Sequence, residues 1–213
     1  QVRAGRVRAA VLADGSEVRA RCIAANLNPK LLYLKLLDAA DLPPEIPERM
    51  RAFRCISGTF RMNVALGALP RFSCRPEPGP HLGAGIIMAP SLAYMERAYS
   101  DARNEGMSRA PVVEMLLPST VDDTLAPRGQ HVASLFCQQF DPALDWPARR
   151  DEAVQRIFDV VESHAPGFRA SVLGYEALSP HDLEQRFGLV GGDIGHGALG
   201  LDQLWAARPL LGL

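Results

Sequence analysis

Residues 58–66 read GTFRMNVAL, and the side chains alternate: Phe60, Met62, Val64 and Leu66 are apolar, while Arg61, Asn63 and Ala65 fall between them. A period of two predicts an extended strand with one buried face. Such a strand needs neighbours for its backbone and an apolar layer on one side. The segments AGIIMA, PVVEMLLPS, HVASLFCQQF and FRASVLGYEAL read as its partners, from their β-branched and aromatic content. The strongest helix is predicted in WPARRDEAVQRIFDVVESHAP, where Val154, Ile157, Phe158, Val161 and Ala165 recur at helical spacing and Pro166 stops the run.

Other elements follow from local signals. Asp14-Gly15-Ser16 separates two runs of β character and predicts a hairpin. Asn28-Pro29 marks a boundary, after which KLLYLKLL reads as a short buried helix. Pro47 suits the first turn of a helix ending near Phe53. Ser91 and Gly106 bracket a capped helix, LAYMERAYSDARNE. Ser179-Pro180 opens a short helix near the end. The fold class expected is α+β (mixed α/β), with a mixed, mainly antiparallel sheet flanked by helices.

Charge and cysteine usage exclude several functions. With 23 basic and 24 acidic residues the formal net charge is −1, so nothing neutralises a phosphate backbone and no nucleic-acid partner is expected. Cys22, Cys55, Cys74 and Cys137 form no CxxC pair; they read as buried thiols in a reducing, cytoplasmic setting. No stretch reaches the roughly 20 apolar residues of a transmembrane helix. His196 and Asp193 offer two metal ligands where zinc needs three or four, so no metal is expected. The adjacent acids Asp122-Asp123 read as a solvated loop, and no G-x-S-x-G elbow is present.

The most chemically loaded stretch is GGDIGHGALGLDQLWAARP, residues 191–209. GHGALG within it matches a dinucleotide-binding spacing, but without the strand before and helix after that such a site requires. Its glycines let a flat ligand approach the main chain; Asp193, His196 and Gln203 offer hydrogen bonds, and Trp205 an apolar plane. The stretch suits either the edge of a planar cofactor or a turn packed under a sheet.

These residues resemble a known group. VRAAVLADGSEVRARCIAANLNP is similar to the hairpin and following strand of two-dinucleotide flavoproteins. GGDIGHGALGLDQLWAARP, with PSTVDDTLAPRGQHVASLFCQ and SPHDLEQRFGLVGGDI, resembles phytoene desaturase-like FAD-dependent oxidoreductases. Within them it resembles the branch of pyridine nucleotide-disulfide oxidoreductase domain-containing protein 2 and its bacterial relatives. It departs from that pattern at Gly195, where the group carries a bulky aromatic.

The resemblance implies three parts: residues 1–29 as a remnant of an FAD-binding domain, 30–190 as a substrate-binding domain, and 191–213 as a loop returning towards the FAD. It assigns Asn26, Gly191, Gly192, Asp193, His196 and Gly197 to the cofactor side and Gln203, Trp205 and Arg208 to the substrate side; no catalytic residue can be assigned. It implies FAD in the intact protein but none held by this fragment, which is expected to be inactive alone. The substrate is expected to be small and apolar or amphipathic, lined or backed by GTFRMNVALGALPRF and LAYMERAYSDA, and dehydrogenated by hydride transfer to the flavin. Truncated apolar surface is expected to favour self-association. From a different class, a non-catalytic ligand-binding or interaction module fits the same apolar surfaces.

Overall fold

The computed structural model describes residues 1–56 and 58–210. Its elements, in chain order, are β1 (Val2–Arg3), β2 (Arg6–Val7), β3 (Ala9–Val11), β4 (Glu17–Arg19), α1 (Pro29–Leu31), α2 (Glu45–Ala52), β5 (Gly58–Leu66), β6 (Ile86–Met88), α3 (Leu92–Glu105), β7 (Met107–Leu116), β8 (His131–Phe140), α4 (Trp146–His164), α5 (Phe168–Ser171), β9 (Val172–Leu178) and α6 (Pro180–Phe187). Helices and antiparallel sheet together make an α+β fold.

β5 to β9 form one five-stranded sheet in the order β6-β7-β8-β5-β9, every neighbouring pair antiparallel. The alternation in β5 fixes its two faces. Phe60, Met62, Val64 and Leu66 are fully buried and meet Val113 and Met115 of β7, Leu135 and Cys137 of β8, and Val154, Ile157 and Val161 of α4. Trp146 opens α4 inside this core, with Phe60 and Phe140 at ring-centroid distances of 5.7 Å each and its indole N–H donating to the Asp141 carbonyl at 3.1 Å. Asp145 caps that helix.

α3 shields a sheet edge. β6 pairs only with residues 113–115 of β7, so the earlier half of β7 lacks a strand on that side. The Tyr94 hydroxyl donates to the Pro111 carbonyl at 2.9 Å, and Asp101 accepts from the Arg109 amide at 3.2 Å. Side chains of α3 thereby satisfy backbone groups that an open edge would expose.

The second face of the sheet is barely covered. Thr59 and Leu178, at one end, are buried where α6 and the tail meet the strands. Beyond them Asn63, Ala65, Glu114, Leu116 and Ile87 are exposed.

Some local expectations needed correction. KLLYLKLL is a single α turn continued as a π turn, and none of its residues is fully buried. Tyr33 and Leu34 lean on a small separate core of Ile46, Met50 and Phe53, but leucines lie all round the turn and Leu36 stays exposed. FRASVLGYEAL divides: Phe168–Ser171 is helical and only Val172 onward is strand. The four cysteines are unpaired, and of them only Cys137 is fully buried; Cys22 and Cys74 are exposed and Cys55 half-buried. The hairpin about Asp14-Gly15 forms as β3 and β4, with a smaller ribbon, β1 and β2, before it. No helix among the described residues is long and apolar enough to cross a membrane.

Candidate functional site

The glycine-rich tail starts from a well-stopped helix. Ser179 and Asp182 cap α6 reciprocally: the Ser179 amide donates to the Asp182 carboxylate at 2.9 Å, and the Asp182 amide donates to the Ser179 hydroxyl at 3.2 Å. Gly188 ends the helix in the left-handed conformation. The chain then passes beneath the entry to β5, where Asp193 bridges to Gly58 and is fully buried. The Asp193 carboxylate accepts from the Gly195 amide at 3.0 Å.

Residues 195–208 are tied to the segment after α2. Gln203, nearly fully buried, uses both ends of its amide on the chain: Oε1 accepts from the Arg54 amide at 2.7 Å, and Nε2 donates to the Arg54 and Ala198 carbonyls at 3.1 Å each. The Ala198 amide also donates to the Arg54 carbonyl, at 2.8 Å. Arg208 donates to the carbonyls of Gly197 at 3.0 Å, Ala198 at 3.2 Å and Gly195. Arg54 and Asp202 pair at 2.6 Å, but both are exposed and contribute little. Replacing Gln203 by Ala should leave the Arg54 amide without its acceptor and take one of two donors from each of the Arg54 and Ala198 carbonyls. Amide exchange at Arg54 and Ala198 is expected to speed at least about tenfold, read by hydrogen exchange; unchanged protection there would remove Gln203 from this role.

The expected site residues do not all converge. Gly195, His196 and Arg208 join Leu27, Tyr33 and Phe53 around a hollow of about 300 Å³. His196 has a positive φ of 55°, and its Nδ1 is buried without a hydrogen-bond partner. Trp205 is 83% exposed and stands apart from this hollow. Asn26 is exposed too. Two positions on, Asn28 is the buried asparagine: Oδ1 accepts from the Lys30 amide at 2.9 Å and Nδ2 donates to Cys55 Sγ at 3.4 Å. An asparagine before Pro29 carries the local signal of a helix cap. Nothing local marks Phe53 and Cys55, which the fold brings to the loop from far away in sequence. Burial pushes the Cys55 thiol up, the Asn28 hydrogen bond works against that, and the charge of Asp193 adds to it.

The glycines have reasons inside the chain. At Gly191 a Cβ would overlap the Cys55 carbonyl, at Gly192 it would overlap Pro180, and at Gly197 the Phe53 ring. Tested against the dinucleotide that the resemblance implies, the described residues do not fit it. Gly191, Gly192 and Gly197 make room for the protein's own backbone and side chains rather than for a phosphate. Gly195 and His196 line the small hollow. Among the described residues no three of His, Cys, Asp and Glu gather as a metal site would require.

An oxidoreductase from Methanosarcina mazei shares the fold at a TM-score of 0.51 and 13% identity, over 84% of this chain and 35% of that one. By sequence, the chain is 37% identical to pyridine nucleotide-disulfide oxidoreductase domain-containing protein 2 of Rattus norvegicus and 36% identical to that of Mus musculus. Both alignments cover 97% of this chain and 37% of the relative, so the chain spans little more than a third of these relatives' length. No family model matches.

Proposed function

We propose that these residues are the substrate-facing part of an FAD-dependent oxidoreductase of the same family as those rat and mouse proteins, acting on a small apolar or amphipathic organic substrate by dehydrogenation or desaturation. The observation that carries this reading is similarity sustained over 97% of the chain at 37% identity. The division into residues 1–29, 30–190 and 191–213 belongs to the same proposal, as does a phytoene desaturase-like chemistry. On this reading the open face of the five-stranded sheet meets the substrate. Gly195 and His196 sit on a loop shaped by Gly191, Gly192, Asp193 and Gly197 and braced by Gln203 and Arg208. Asn26 and Trp205 are exposed and free to meet parts of the protein outside these 213 residues. On this reading the residues present orient the substrate, and the grip on the flavin lies outside them. Exposed apolar side chains such as Leu199, Leu201 and Leu92 suit contact with another chain or with the rest of the same protein.

The test has two arms. The product of the whole reading frame that encodes these residues should carry flavin, seen by its visible absorbance. The 213-residue chain alone should bind added FAD no more tightly than about 10 μM, measured by flavin fluorescence. A flavin-free full product would overturn the enzymatic reading. Nanomolar FAD binding by the chain alone would overturn the placing of the nucleotide grip outside it.

A further inference from the structure

Among the described residues, Arg61 on the open face of the sheet is a half-buried cation with no carboxylate within ion-pair distance. Arg61 of β5 stands opposite Phe136 of β8 on one side and Leu178 of β9 on the other. Its guanidinium carbon lies 5.7 Å from the centre of the Phe136 ring, and Nη2 donates to the Ser134 hydroxyl at 2.9 Å. Among the described residues no other hydrogen bond and no carboxylate within ion-pair distance engages it. The arginines that brace the fold behave differently: Arg156 holds Glu152 and the Ser108 carbonyl, and Arg169 holds Asp159 and Gln155. Two acids among the described residues share the face of Arg61, neither within ion-pair distance of it. Glu114 lies beyond the Phe136 strand, and Glu176 pairs with Arg186 at 2.6 Å. Around the cation the same face presents the apolar side chains Ala65, Val132, Leu116 and Ile87 beside Gly174, with Asn63 and the carboxylates of Glu114 and Glu176 set among them.

We propose that Arg61 binds a single carboxylate on an otherwise apolar substrate that lies along this face. The inference rests on the reading of the open face as the substrate surface and narrows it to a class, an apolar organic acid. A guanidinium fork matches a carboxylate with two parallel hydrogen bonds. Its stacking on Phe136 and its bond to Ser134 hold the fork in place while leaving donors over. A phosphate, carrying more charge, would call for further cations, and the other arginine near this face, Arg186, is already paired. Partial burial strengthens the contact relative to one in open water.

Two probes of equal shape test this: cis-parinaric acid and its methyl ester, titrated by fluorescence into the 213-residue chain. The acid is expected to bind about tenfold more tightly than the ester. Arg61→Met should bring the acid down to the level of the ester and leave the ester unchanged, while Arg61→Lys, which keeps the charge and loses the fork, should retain part of the preference. Ala65→Trp, on the same face, should weaken both probes. Equal binding of acid and ester to the unaltered chain, with Ala65→Trp weakening both, would sink the carboxylate assignment and leave the face standing. So would an acid preference that survives in Arg61→Met. Binding indifferent to both positions, or no binding of either probe, would remove the face itself as the substrate surface and Arg61 with it. The acid-ester comparison on the unaltered chain needs no variant to fold; thermal melts check the variants.

Discussion

Gly192→Ala should destabilise the protein by about 2–5 kcal/mol, a fall in melting temperature of roughly 5–15 °C for a chain of this size. Two effects add. Gly192 has a φ of 62°, where an alanine is strained. It also sits against Pro180, so that a Cβ would come 2.6 Å from the proline Cβ and 2.9 Å from its carbonyl oxygen. That proline opens α6 inside the reciprocal cap of Ser179 and Asp182, and so cannot move aside without loosening the helix. Gly195→Ala is the matched control: its φ is not positive, and the nearest atom to a new Cβ would be Asp193 Oδ1 at 3.3 Å. It should cost less than about 1 kcal/mol. Equal melting temperatures for the two variants would show that the loop is not held against α6 as described.

Trp146→Ala should lower stability by about 3–5 kcal/mol, read as a shift of the urea midpoint with loss of near-ultraviolet dichroism. Trp146 is among the largest fully buried side chains and closes a triangle of rings with Phe60 and Phe140. Its removal opens a cavity at the point where α4 meets the sheet and leaves the Asp141 carbonyl without the indole donor. Trp146→Phe, which loses the donor and part of the volume, should cost less. A change below about 1 kcal/mol for Trp146→Ala would mean that α4 does not depend on this contact.

Much of the scaffold was legible because its signals are short-range. The alternation of residues 58–66 gave β5 and its buried side chains. Ser91 and Gly106 closed α3 at the expected ends, and Ser179 with Pro180 opened α6. Each of these depends on side chains within a turn or a few residues of one another. KLLYLKLL misled for the opposite reason: composition says that leucines prefer burial, but whether a helix is buried depends on what the remainder of the chain brings against it. The site was legible only in part. The glycines of the tail were visible, yet Phe53 and Cys55 carry no local mark, and the helix signal at Pro180 does not tell that it lies against Gly192.

From residue order alone one could establish where the main strands and helices lie, which side of β5 is apolar, and that backbone freedom is concentrated near residue 195. Tertiary packing alone decided that Gln203 reaches back 149 positions to clasp Arg54, that Arg208 holds the loop by its carbonyls, and that Arg61 is half-buried with Ser134 as its hydrogen-bond partner. The division has a physical basis: periodicity and capping act between neighbours along the chain, whereas a hydrogen bond or an unmet charge between distant segments exists only once the fold has set their separation.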